Sequence, residues 1–257
     1  MTERLPNPYI DVERELSACI TEIGGQRVDD VIGKTDKKNA DFLFDDYGVI
    51  AELKILEKDQ IRSASFVDKC SAVYVRYLRE RRAPVIVFGT QRLSTEEFPI
   101  EFRQEIAELY ANPIGRVIRS ADLQIASTKK LLEKGNHAGV LLIVNDGNSA
   151  LDPSHVIWSL GHFLTGGAFP NINGVIFFTA NMPVVTQMDT VAGLPSDMDL
   201  HVWFDGGRLE FPAVNERFGF DLRHAWLKHI SGIVGRTSAF EGSNELLDSL
   251  TNRAKKR

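Results

Sequence analysis

The chain has 257 residues, 43% of them hydrophobic, which is enough for a sizeable core within one elaborated α/β domain. With 30 Lys and Arg against 35 Asp and Glu, its net charge of −5 argues against nonspecific coating of nucleic acid and leaves room for a local basic groove. The longest uninterrupted apolar run, residues 140–144, falls far short of the roughly 20 residues that span a bilayer, and the opening MTERLPNPYID carries no apolar signal-peptide core, so a cytoplasmic protein without membrane association is expected.

Taken in chain order, NPYIDVERELSACITEIGG places Val12, Leu16, Cys19, Ile20 and Ile23 at helical spacing and closes on Gly24 and Gly25, which predicts an amphipathic helix. QRVDDVIG reads as a short strand, and ADFLF and GVIAELKIL as two strands joined by the turn Asp45-Asp46-Tyr47-Gly48. A helical pattern covers residues 59–82, APVIVFG reads as a buried strand, and further helices are expected at residues 100–111 and 121–134. GVLLIVNDGN predicts a central strand running into a turn. Asp152 and Pro153 suit the cap and first turn of a helix reaching Leu164, and NGVIFFTAN reads as another core strand. HVWFDGGRLEF has Asp-Gly-Gly between two β-prone runs, and residues 218–234 read as a last helix. The two cysteines, Cys19 and Cys70, form neither a disulfide framework nor a zinc site and read as small buried side chains.

The hairpin carries the chemistry. Alternate residues of an extended strand face the same side, so Glu52 and Lys54 project together while Val49, Ala51, Leu53 and Ile55 cover the opposite face. If residues 45–48 form the turn, Phe44 pairs with Val49, and the same register brings Asp41 opposite Glu52, with Cβ atoms about 4.5–5.5 Å apart. Two carboxylates held side by side repel. A divalent cation offsets that repulsion, and Mg²⁺, with Mn²⁺ as its substitute, prefers one or two carboxylates completed by water and phosphate oxygens. Such a metal polarises a phosphodiester and acidifies a bound water, while Lys54 orients that water or stabilises the developing charge.

These residues resemble the PD-(D/E)xK, or restriction-endonuclease-like, nuclease superfamily, over roughly the first 150 residues. In that family the first acidic residue lies near the end of the second strand and an ExK triplet on the third. Asp41 matches the first and Glu52-Leu53-Lys54 the triplet, although Ala40 stands where a proline often precedes the aspartate. The resemblance implies further residues. VERELSACITEIGG is similar to the resolvase-like branch and points to Glu13 as a helix-one glutamate that helps hold metal, with Glu15 as the alternative. The middle residue of the triplet, Leu53, is implied as a ligand through its carbonyl. In ADLQIASTKKLLEK, the corresponding helix of some relatives presents polar residues to the site, which implies Gln124, Ser127, Thr128 and Lys129 or Lys130 as substrate contacts. The competing reading of that stretch is an amphipathic helix packing Leu123, Ile125, Leu131 and Leu132 into the core.

Other signals carry less. VIGKTD ends like a phosphate-binding loop, but Val28 stands where the first glycine of that motif belongs. The six histidines are scattered without metal spacing, and no GxSxG elbow occurs. The basic clusters at Arg76, Arg79, Arg81 and Arg82, at Lys129, Lys130 and Lys134, and in the tail at Lys255, Lys256 and Arg257 are each equally a solvated face or part of a groove.

The expectation is therefore an α/β chain with a restriction-endonuclease-like core, a central mixed sheet flanked by helices, over about residues 1–150, and an α/β elaboration of the same domain over about 151–257. The resemblance implies an Mg²⁺-dependent DNA endonuclease, in restriction and defence or in repair, with homodimerisation a frequent family trait. Its alternatives are a noncatalytic DNA-binding or assembly protein that retains the fold, and an RNA-cleaving relative.

Overall fold

The computed structural model describes residues 8–33, 36–59, 61–85, 95–165, 167–182, 199–207, 217–235 and 238–241. Six strands form one open mixed sheet in chain order: β1 (Gln26–Arg27), β2 (Phe42–Phe44), β3 (Val49–Leu56), β4 (Ala138–Asp146), β5 (Gly174–Ala180) and β6 (Asp199–Gly207). β1, β2 and β3 pair antiparallel, β3, β4 and β5 run parallel, and β6 returns antiparallel to β5. A last strand, β7 (Ser238–Glu241), pairs parallel with the first half of β6. Parallel neighbours need a crossover. Between β3 and β4 it is made by α3 (Ala64–Arg79) and α4 (Ile100–Leu131), and between β4 and β5 by α5 (Pro153–Leu164).

Strand alternation sorts the core into two layers. Phe42, Phe44, Val49, Ala51, Val140, Leu142, Val144, Ile176 and Phe178 face α1 (Val12–Glu22) and α6 (Gly219–Val234). Leu43, Ile50, Leu141, Ile143, Val175 and Phe177 face α4 and α5. The sheet is thus buried on both sides, which explains why β4 and β5 read as continuous apolar runs rather than alternating ones. Strands from before and after residue 150 share this sheet.

Several expectations are corrected. Only Gln26 and Arg27 of QRVDDVIG are extended, and Val28–Ile32 form a short helix, α2. Its first turn carries Asp29 and Asp30, which suit the positive end of a helix, and Gly33 ends it at φ 71°, a conformation that favours glycine. The two helices expected at 100–111 and 121–134 are one, because Pro113 sits inside a continuous α4. A proline there costs about 3 kcal/mol in an isolated helix. Here burial of Ala111, Ile114, Gly115 and Ile118 around it holds the helix together, and a Cβ on Gly115 would lie 2.5 Å from the Phe163 ring of α5. Leu123 is 65% exposed and Leu131 41%, so of the apolar residues expected to pack from that stretch Ile125 alone is fully buried. β6 passes through Asp205-Gly206-Gly207 without turning, with Gly206 and Gly207 paired to Val175 and Gly174. Residues 208–211 of that expected hairpin, and residues 86–89 of the strand expected over APVIVFG, lie outside the described residues. Cys19 is buried, and burial pushes its thiol up to about 12, whereas Cys70 on α3 is only half-buried. Among the described residues no helix is long and apolar enough to cross a membrane.

Candidate active site

The hairpin has the register that its sequence predicts: Phe44 pairs with Val49, Leu43 with Ile50 and Phe42 with Ala51. One step further, Asp41 reaches the level of Glu52. Val28 N–H donates to the Asp41 carbonyl at 2.9 Å, and the Asp41 carboxylate accepts the Leu53 N–H at 2.8 Å through Oδ2. Asp41 is thereby held at the open end of the hairpin, where β2 has stopped and β3 continues. The N–H and C=O of one strand residue leave by the same edge, so the Leu53 carbonyl faces the edge on which Asp41 lies.

Ile50, Glu52, Lys54 and Leu56 form the face of β3 turned toward α4, which puts Glu52 inside the α4 layer, 1% exposed. Lys54 Nζ donates to Glu52 Oε1 and, at 2.9 Å, to Gln124 Oε1 of α4. Gln124 is itself fixed. Its Nε2 donates to the Asn39 carbonyl at 3.0 Å, and Ser120 Oγ donates to its Oε1 at 2.9 Å. Ser127 Oγ donates to Asn39 Oδ1 at 3.2 Å, and Thr128 Oγ1 accepts the Ala40 N–H at 2.8 Å. One face of α4 therefore fastens both Lys54 and the segment that leads into Asp41. Asn39 and Ser120 were not singled out from sequence, because a loop asparagine and an exposed helix serine carry no pattern of their own.

Among the described residues only two buried side-chain polar atoms lack a hydrogen-bond partner, Glu52 Oε2 and His155 Nε2. Burial lowers the pKa of His155, so its ring is held neutral. The bare oxygen of a carboxylate is more costly. Burial, followed by the neighbouring Asp41 charge, pushes the Glu52 carboxyl up to about 8, against the opposing pull of Lys54. Asp41 is also raised, first by burial, while the hydrogen bond from the Leu53 N–H and the charge of Lys54 oppose the rise. The two carboxyls therefore titrate as a pair, with Glu52 the more strongly raised of the two.

The remaining candidates separate. Glu13 is 64% exposed and faces Arg27 at 3.7 Å, and the charge of Arg27 also acts on Asp41. Glu15 meets His229 Nε2 at 2.7 Å and pairs with Arg14, so it is engaged away from the hairpin. Among the described residues no group of three or more His, Cys, Asp or Glu gathers as a metal cage, and the helix-one glutamate is not brought to Asp41 and Glu52. Lys130 is exposed. Lys129 is half-buried on the other flank of α4, where its Nζ donates to Asn173 Oδ1 at 3.5 Å. Asn145 and Asn148 of NDGN bond each other's turn, Asn148 N–H to Asn145 Oδ1 at 3.1 Å and Asn145 Nδ2 to the Asn148 carbonyl at 3.2 Å.

Fold and site together define an α/β sandwich with a carboxyl pair and a tethered lysine at the open end of a hairpin. Comparisons with protein-family models, with curated proteins and with solved structures found no match to the chain.

Proposed function

We propose that the chain is a divalent-metal-dependent DNA endonuclease of the restriction-endonuclease-like kind, hydrolysing phosphodiester bonds at Asp41, Glu52 and Lys54. The observation that carries this reading is the buried, unpartnered Glu52 Oε2 against the Asp41 carboxyl, with Lys54 on the same strand face. The order of helix α1, three antiparallel strands, crossover helices and a parallel fourth strand is what the resemblance calls for.

The donor set fits Mg²⁺ or Mn²⁺: two carboxylates and the Leu53 carbonyl are hard oxygen ligands, and Mg²⁺ needs few of them. When bound, the ion supplies polarisation of the scissile phosphate and an acidified water. The chain's own residues do the rest. The Leu53 N–H and the Val28 N–H hold Asp41 in one position. Lys54, 24% exposed, lies at the lip of the pair, where its ammonium can neutralise charge that develops on a phosphate oxygen. Gln124 and Asn39 keep that ammonium aimed. By analogy the biological setting is restriction and defence, then repair, with a homodimer cutting both strands.

A second reading, a noncatalytic DNA-binding or assembly protein that retains the fold, is favoured by the missing third carboxylate, since Glu13 faces Arg27 instead. Incubation of the protein with supercoiled DNA, linear DNA and RNA, with and without Mg²⁺ or Mn²⁺, separates the readings. Metal-dependent DNA cleavage that is lost in Lys54→Ala supports the first. RNA cleavage alone indicates the RNA-cleaving relative, and no cleavage of any substrate supports the noncatalytic protein.

A further inference from the structure

Charge is unevenly divided along α4. Its first half carries Glu101, Glu105 and Glu108, and two of these neutralise arginines of the α3 end: Arg76 pairs with Glu105 and Arg82 with Glu101. From Ala111 to Leu131 the only carboxylate is Asp122, which is buried and bonded to Asn171 N and Nδ2. The same half holds Arg116, Arg119 and Lys130, all exposed and, among the described residues, without a carboxylate or ring partner. Elsewhere on this acidic chain many cations are neutralised, as in Arg14–Glu15, Arg27–Glu13, Lys134–Asp45 and Lys228–Glu22.

Helical geometry gathers these cations on the exposed flank of α4, Arg116 about 80°, Lys130 about 120° and Arg119 about 140° round from Gln124 in the same sense. At about 100° per residue, Arg116, Ser120 and Ser127 lie on one flank of Gln124, and Arg119, Leu123 and Lys130 lie one step further round the same flank. The opposite flank packs Ile118, Asp122, Ile125 and Lys129 inward. Like charges at i and i+3, as at Arg116 and Arg119, weaken a helix slightly, and both stand mid-helix where the dipole gives no compensation. From Arg116 to Lys130 the helix rises about 21 Å, the axial length of about six nucleotides of one strand in a duplex at about 3.4 Å each, so several phosphates lie within its reach. Gln124 and the lysine it holds lie between the two ends of this row.

We propose that this flank of α4 is a track for the sugar–phosphate backbone of a DNA strand, held by Arg116 and Arg119 on one side of the site and by Lys130 on the other, so that the strand crosses the site instead of ending there. The inference rests on the nuclease reading for its location and makes attack internal to the strand. Exposed Leu123, between the cations, lies against the sugars and bases of the seated strand.

The test measures binding of a labelled 30-nucleotide single-stranded DNA, in chelator so that nothing is cut, across a salt series. Arg116→Glu/Arg119→Glu should weaken binding about tenfold or more and flatten the logarithmic salt slope by about 1.4, two single-strand contacts at about 0.7 each. Lys130→Glu should flatten it by about half as much. Arg103→Glu, an exposed change on the acidic half of α4, should act weakly, and a circular single strand should compete as well as a linear one. Unchanged affinity in the double variant, an equal loss in Arg103→Glu, failure of the circle to compete, or no binding by the unaltered protein each overturns the track. Melting curves for every variant exclude unfolding as the cause. Binding through the track with no cleavage in Mg²⁺ or Mn²⁺ overturns the nuclease reading and leaves the track standing. Cleavage that persists with unaltered affinity in the double variant overturns the track alone.

Discussion

The Leu53 amide donates to Asp41 at 2.8 Å, so the two arms of the hairpin are joined by a side chain at the point where their backbone pairing ends. That contact holds Asp41 against Glu52. It sets up two buried carboxyls that raise each other's cost of ionisation, and four measurements follow from it and from the packing around it.

Divalent metal should bind at this pair. Calorimetry with Mn²⁺ or Mg²⁺ at pH 7 should show binding that weakens strongly in Asp41→Asn and in Glu52→Gln, because each loses a charged oxygen ligand. Binding should also release close to one proton, since Glu52 is protonated at that pH in the absence of metal. Equal affinity in all three proteins would remove the proposed site.

Without metal, the pair should make stability depend on pH in a definite direction. Burial and the Asp41 charge push the folded Glu52 carboxyl from its ordinary 4.5 up to about 8, so between those values the folded state binds more protons than the unfolded one. Its stabilising contribution is full below about 4.5 and is lost as pH rises through about 8. In chelator, the melting temperature of the unaltered protein should therefore fall between pH 5 and pH 9, and Glu52→Gln, which mimics the protonated form, should flatten that fall. A parallel pH profile in both proteins would contradict the assignment.

Lys54→Ala should keep the fold and most DNA affinity while cleavage falls by roughly two or more orders of magnitude, comparable to the loss of a positioned electrostatic group. Gln124→Ala leaves the ammonium present but loosely aimed and should cost less, about tenfold, in single-turnover rate at saturating enzyme. Wild-type turnover in well-folded Lys54→Ala would leave the lysine as an ion-pair partner of Glu52 and nothing more.

Gly139, at the start of β4, tests the layer beneath the site. A Cβ there would lie 1.9 Å from the Asn171 carbonyl oxygen and 2.7 Å from Ile125 of α4. Its N–H also donates to Asn173 Oδ1 at 2.8 Å, and its carbonyl accepts the Asn173 N–H at 2.7 Å. Gly139→Ala should destabilise by at least the ~1–3 kcal/mol of core overpacking, read by urea unfolding. A shift within error would mean that this turn yields easily.

Local sequence determined the hairpin by itself. Strand alternation over Val49–Leu56 puts Glu52 and Lys54 on one face whatever surrounds them, and the four-residue turn sets the register that brings Asp41 level with Glu52. The capped start of α5, where Asp152 accepts Ser154 N–H at 2.8 Å, was equally readable. Only the tertiary structure decided which element covers the carboxyl face. α4 does so, and its rotation about its own axis sends Gln124 and Ser127 to the hairpin, Lys129 to Asn173 and Leu123 to solvent. Helical period alone leaves that rotation free, because polar and apolar residues alternate along this stretch too evenly to fix one buried face. Pro113 in mid-helix and the pairing of Glu13 with Arg27 were hidden for a related reason: both depend on neighbours distant in the chain, whose packing overrides local preference.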